Sequence, residues 1–349
     1  MTAALSSSVL RLWPTVSKSA RRCPRLPISR RQLSTTPVGV LGNPLRRSYI
    51  YVPSSNGRML AKSLDIGSDV VIYDLEDSVS PLPADKENAR AKLKAFLSEA
   101  DPSPLTGSQI AVRVNDISTP FFQDDIKEIL SNIKVKAVVL PKIHCAEDLD
   151  ILSDALQQAP LAEARGVPVE IIPSLESARG MWNLRDIASW KSKHEPRLGG
   201  ELRALMFACE DYCADTGIIR TPSRRELLYT RSRIVLAAKA HNLDAIDMVC
   251  IQYKDKDYLT DECVDARQLG FTGKQAIHPS QVPIINSTFV PTPEEILRAA
   301  KILKGMREAH ASEKGAIGLE GEMIDAPMLK QAEKIIAIAE CAGLPIPAV

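Results

Sequence analysis

The stretch VEIIPSLESARGMW, residues 169–182, opens as an apolar run, reaches a carboxylate at Glu176 and passes at once into helical spacing. A strand covered on both faces reads as a near-continuous hydrophobic run rather than an alternating one. An acid at the carboxyl end of such a strand needs a partner or a task, because burying an unpaired charge is costly. The same beat recurs along the chain. Short apolar, β-branched runs occur at SYIYVP (48–53), DVVIYDLED (69–77), QIAVRVN (109–115), AVVLPKI (137–143), ALMFACED (204–211), AIDMVCIQ (245–252) and GKQAIHP (273–279). Segments with helical spacing separate them, at 56–66, 83–98, 120–132, 146–158, 177–190, 223–241 and 257–269, and another follows near 293–309. Buried-looking strands alternating with helices predict a parallel sheet, and eight such units in roughly 260 residues predict a (β/α)8 TIM barrel. A doubly wound open sheet would carry a glycine-rich phosphate turn after its first strand, and YVPSSNGRML is not one.

The remaining tail, 310–349, starts Gly-rich and reads as a mobile loop. From Pro327 to Cys341 it shows the apolar spacing of a helix, so the barrel over 46–309 carries a C-terminal helical extension. With the barrel already complete, this extension either packs beneath it or reaches over a neighbouring subunit.

Net charge is +1 and no apolar run approaches the roughly 20 residues that cross a bilayer, so neither nucleic acid nor a membrane is an expected partner. The charge is unevenly placed. No Asp or Glu precedes Asp65, while Arg11, Lys18, Arg21, Arg22, Arg25, Arg30 and Arg31 stand among many Ser and Thr. That composition over 1–45 predicts a mitochondrial transit peptide, with RRQLSTTP resembling a matrix-processing site cut between Leu33 and Ser34. Seven scattered cysteines suggest no disulfide framework, in keeping with a reducing matrix. Cys209 and Cys213 lack the second ligand pair of a structural zinc site and read as packing residues.

Barrel enzymes build their sites at the carboxyl ends of the strands. Those ends supply Tyr51; Asp74, Glu76 and Asp77; Arg113 and Asn115; Lys142; Glu176; Glu210 and Asp211; Gln252; and His278. Glu176 and Asp211, on neighbouring strands, suit a hard divalent cation such as Mg2+, which takes one or two protein carboxylates and keeps several waters. The residues alone leave other readings open. Glu176 could pair with Arg113 or cap the helix beginning at Ser177. Arg113 could hold a substrate carboxylate or close a barrel-mouth ion pair. Asp325 could cap the helix starting near Pro327. Arg58 and Lys62 could form a solvated basic face, and His278 could be an ordinary strand-end residue.

LRRSYIYVPSSN, YDLEDSV, RVN, LPKI, PSLESARG, FACEDY, GFTGKQAIHPSQ and GEMIDAPMLK occur in this order over about residues 46–342. This set resembles the HpcH/HpaI aldolase/citrate lyase family. The resemblance implies a Mg2+-dependent carbon–carbon lyase acting on 3-hydroxyacyl-CoA thioesters, with citramalyl-CoA, split to acetyl-CoA and pyruvate, as the expected substrate. Malyl-CoA lyase or malate synthase-type activity, and a non-catalytic CoA-binding citrate lyase β-like subunit, are the alternatives. By the same resemblance Glu176 and Asp211 would ligate the metal, and Arg113 would bind the substrate's carboxylate and keto oxygen. Tyr51, Arg58, Lys62, Ile277 and His278 would line the CoA path. Asp325 would be the acid/base, delivered from an adjacent subunit of a homotrimer. Where family members often have Gly after YVP, this chain has Ser54.

Overall fold

The structure, a computed structural model, describes residues 45–99, 108–160, 162–311 and 315–349. The leader expected over 1–45 lies, apart from Leu45, outside these described residues.

Nine parallel strands form the sheet: β1 (Ser48–Pro53), β2 (Val70–Asp74), β3 (Gln109–Arg113), β4 (Val135–Leu140), β5 (Glu170–Leu175), β6 (Glu201–Leu202), β7 (Ala204–Phe207), β8 (Asp244–Asp247) and β9 (Gly273–Ala276). β6 and β7 both pair with β5 and are interrupted only at Arg203, so they make one stave. β9 pairs with β1 and β4 with β5, which closes eight staves into the expected barrel.

The continuous apolar character of the strands has a direct cause. Successive side chains point to opposite faces. Val70 and Ile72 enter the barrel interior with Tyr49, Ala111, Val139, Ile172 and Met206. Val71 and Tyr73 turn outward into the layer shared with the surrounding helices. Both faces are therefore dry, and each large aliphatic side chain so buried contributes about 1.5–3 kcal/mol. Register then sets the mouth: Asp74 ends β2 directly beside Arg113, the last residue of β3.

Three segments differ from their sequence reading. Glu210 and Asp211 do not end a strand. They occupy the first turn of a short helix, Cys209–Thr216, where the partial positive charge of a helix N-terminus favours acids. The span 177–190 is two helices, Ala178–Trp182 and Leu184–Ser189, meeting at Asn183. The Gly-rich stretch that reads as a loop is an antiparallel hairpin, β10 (Ile317–Leu319) with β11 (Glu322–Ile324). Its two turn residues, Glu320 and Gly321, both have positive φ, the requirement of a two-residue hairpin turn.

The hairpin leads into the helix Ala326–Cys341, which agrees with the predicted 327–341. This extension packs on the last barrel helix, Pro293–Ala311, through Ala299, Ile302, Met306, Ile324 and Ala332. Within the described residues no helix is long and apolar enough to cross a membrane.

Candidate active site

Glu176 follows β5 and is buried. Its Oε1 accepts a hydrogen bond from the backbone amide of Lys142 at 2.7 Å, and its Oε2 accepts one from the Ser174 hydroxyl at 3.0 Å. The Lys142 amide can reach because Lys142, two residues past the end of β4, adopts a left-handed backbone, φ 55°, which a non-glycine residue holds only when its surroundings insist. Gly180 helps to bring the two loops together. A Cβ there would meet the Ile143 carbonyl oxygen at 2.5 Å.

The structure removes two of the readings open for Glu176. It does not cap the next helix, because the Ser177 hydroxyl does so by accepting from the Gly180 amide. Nor does it pair with Arg113. Arg113 Nε and Nη2 each lie 2.7 Å from an oxygen of Asp74, and its Nη1 lies 3.0 Å from Glu76 and 3.2 Å from Asp77. Burial alone would raise Asp74, but the two-pronged bond to Arg113 outweighs it and holds the carboxyl below its usual range.

Glu176 behaves in the opposite way. Burial first, and the negative charge of Asp211 second, push its pKa up to about 7. Asp211 is itself exposed, yet partial desolvation and the nearby Asp77 raise its pKa against the pull of Arg113 and Lys142. Among the described residues no ion pair engages either acid. Two carboxylates whose charges repel one another and that are engaged in no direct ion pair suit a hard divalent ion. No cluster of three or more His, Cys, Asp or Glu residues that could hold a metal is found among the described residues. Two carboxylates completed by water and substrate oxygens are the arrangement magnesium favours.

The other predicted residues fall into two sectors of the rim. Tyr51, on β1, lies under the Arg113 guanidinium at 4.8 Å, and its hydroxyl donates to Gln275 Oε1 at 3.0 Å. Lys142 Nζ bonds Glu76 Oε1 at 2.5 Å. Arg58 and Lys62 are exposed on the helix Gly57–Lys62 that follows β1, capped by the Asn56 side chain. On the neighbouring stave Ile277 is exposed, and the His278 ring packs 5.0 Å from Tyr253 while capping the turn Pro279–Gln281.

Asp325 makes no hydrogen bond or ion pair with the other predicted site residues. It is exposed at the N-terminus of the helix Ala326–Cys341 and makes no side-chain cap bond. The groups that hold the mouth acids by hydrogen bond or ion pair do not include it.

Sequence reasoning missed three contributors: the Lys142 amide, Gln275, and Arg220, which grips the acid beside Asp211. The first had a faint signal, a polar residue just past a strand. Gln275 faces inward on a strand and donates to the Phe207 and Asp247 carbonyls. Arg220 lies in a loop between two helices, where nothing local marks it.

A sequence profile of the HpcH/HpaI aldolase/citrate lyase family matches residues 47–279, and one described as a carbon–carbon bond lyase of the TIM-barrel fold matches 217–344. The mitochondrial citramalyl-CoA lyase of Rattus norvegicus is 32% identical over 295 residues, 84% of this chain and 86% of that protein. A (3S)-malyl-CoA thioesterase of Cereibacter sphaeroides is also 32% identical, over 84% of this chain and 94% of that protein. The crystal structure of the protein CitE from Mycobacterium tuberculosis, in complex with magnesium, acetoacetate and coenzyme A, superposes with a TM-score of 0.66 at 28% identity. It covers 86% of this chain and 98% of that one. Barrel, rim chemistry and these likenesses agree, and the chain belongs to the HpcH/HpaI aldolase/citrate lyase family of carbon–carbon lyases.

Proposed function

We propose that this protein is a Mg2+-dependent lyase that cleaves citramalyl-CoA to acetyl-CoA and pyruvate. One observation carries the reading: among the described residues neither Glu176 nor Asp211 is taken up in an ion pair, while the acids around them, Asp74, Glu76 and Asp77, are all held by Arg113. A magnesium ion held by these two acids would supply Lewis-acid polarisation of the substrate's hydroxyl and carboxylate oxygens.

The remaining work falls to side chains. Asp74 fixes the Nε–Nη2 edge of the Arg113 guanidinium, and Nη1, held between the buried Glu76 and the exposed Asp77, is the corner offered to substrate. The exposed Asp77 beside Nη1 must yield when a substrate carboxylate arrives. Positive charge at Nη1 then lies beside the substrate oxygen that turns negative when the hydroxyl loses its proton and becomes the keto oxygen on cleavage. A base takes the hydroxyl proton, the carbon–carbon bond breaks, and its electron pair passes to the acetyl-CoA fragment as an enolate, which is then protonated. Asp325 is the proposed acid/base, its exposed and uncapped carboxylate delivered by the adjacent subunit of a homotrimer. Arg58, Lys62, Tyr51, Ile277 and His278 line the path of the CoA chain, with the two cations suited to its phosphates.

The similarity to mitochondrial lyases and the acid-free leader support import into the mitochondrial matrix. The thioesterase relative keeps a second reading in view, cleavage replaced or followed by thioester hydrolysis.

The deciding assay offers citramalyl-CoA and malyl-CoA with and without Mg2+, and identifies the products. Pyruvate and acetyl-CoA are expected from the first. Free CoA would mark hydrolysis, and no turnover of either thioester would favour a non-catalytic subunit. For the shared site, Asp325→Ala and an Arg113→Gln variant are each expected to be nearly inactive, and mixing them under subunit exchange is expected to restore part of the activity. A mixture as inactive as its parts would count against a site shared between subunits.

A further inference from the structure

The loop after the helix Cys209–Thr216 carries a guanidinium that no part of the mechanism above uses. Arg220 is almost wholly buried, with its side chain 8% exposed. Its Nη1 pairs with Glu210, and its Nη2 donates to Glu262 at 2.6 Å and to the Val249 carbonyl at 3.1 Å. Glu262, on the helix Lys256–Leu269, is fully buried and is also held by Lys274 Nζ of β9 at 3.1 Å. Arg220 thus ties together the first turn of one helix, the segment beyond β8 and the wall of the barrel.

Glu210 and Asp211 are consecutive, and successive residues on a helix point about 100° apart. With Glu210 held by the buried Arg220, Asp211, about 100° further round the same first turn, is directed away from that anchor. We infer that Arg220 is a positioning residue: through Glu210 it sets the rotation of the first turn so that Asp211 is presented to the metal. This rests on the metal-site reading above. A lysine could not replace it, because a point charge lacks the planar fork that spans three acceptors on three segments.

The test measures Mn2+ binding by electron paramagnetic resonance, with no substrate present, in wild type, Asp211→Asn, Glu210→Gln and Arg220→Lys. Glu210→Gln breaks the tether while leaving the buried Arg220–Glu262 pair intact, so it remains informative should the arginine variant fail to fold. The tether predicts that Glu210→Gln and Arg220→Lys weaken Mn2+ roughly 10- to 100-fold, the usual loss when a residue that orients a ligand is removed. It also predicts that the rate at saturating metal and the melting temperature of metal-free Glu210→Gln stay near wild type. Unchanged Mn2+ affinity in both variants, with binding lost in Asp211→Asn, would overturn the tether and leave the metal site standing. Loss in Glu210→Gln as complete as in Asp211→Asn, with Arg220→Lys unaffected, would make Glu210 a ligand and also overturn it. Wild-type affinity in Asp211→Asn would remove the metal reading itself, and the tether with it.

Discussion

Asp247 and Glu262 on one hand, and Glu176 and Asp211 on the other, are two pairs of acids with opposite fates. Asp247, the last residue of β8, is fully buried. Arg231 grips both its oxygens at 3.0 and 2.9 Å, and Lys274 Nζ lies 3.5 Å away. Glu262 is equally buried between Lys274 and Arg220. Burial would raise both acids, yet the surrounding cations win and hold their pKa values low. At Glu176 burial wins, because its strongest electrostatic neighbour, Asp211, is negative. The difference lies in the partners supplied by the fold. Acids whose charge the chain neutralises hold the wall together, and acids whose charge it leaves open are available to bind something.

The sharpest way to break this contrast is at the neutralised pair. Asp247→Asn leaves Lys274 and Arg231 buried without their main counter-charge, and removing one partner of such a cluster costs about 3–5 kcal/mol. A chemical denaturation midpoint close to wild type would show that the network contributes no net stability. Next in size, Glu176→Gln and Asp211→Asn are expected to cut metal-dependent turnover more than about a hundredfold with circular dichroism unchanged. Near-normal rates at low Mg2+ in both would remove the open pair from the site.

The finest effect separates the two kinds of acid by pH. A carboxyl whose pKa is raised by folding, here from 4.5 to about 7, binds its proton more tightly in the native state. Its stabilising effect is therefore full below pH 4.5 and lost as pH climbs through 7. Metal-free Glu176→Gln should consequently be more stable than wild type above pH 7, by on the order of 1–3 kcal/mol, and the gain should vanish below about pH 4.5. Thermal melts of the two metal-free proteins at pH 4.5, 6 and 8 read this directly. A gain independent of pH would mean that packing, not charge, sets the environment of Glu176.

How far the chain could be read in advance depended on the range of the interactions involved. The barrel was legible because strands dry on both faces, such as Val70–Asp74 and Glu170–Leu175, need apolar residues at every position, a demand written locally. The mouth acids were legible for the complementary reason, since Glu176 breaks such a run at its end. The helix Cys209–Thr216 was hidden because eight residues with little amphipathic spacing look like a strand's continuation. Glu320 and Gly321 form the hairpin turn by adopting positive φ, which Gly allows and Glu merely tolerates, so the Gly-rich stretch looked like any flexible loop.

Residue types and their order along the chain thus determined eight staves and a ring of polar groups at one end. Which acids are neutralised was decided only in three dimensions. Arg231 meets Asp247 across 16 residues, the Lys142 amide meets Glu176 across 34, and Arg220 meets Glu262 across 42. Burial and the distance to the nearest opposite charge fix the energy of an ionised group, and neither quantity exists until the barrel has closed.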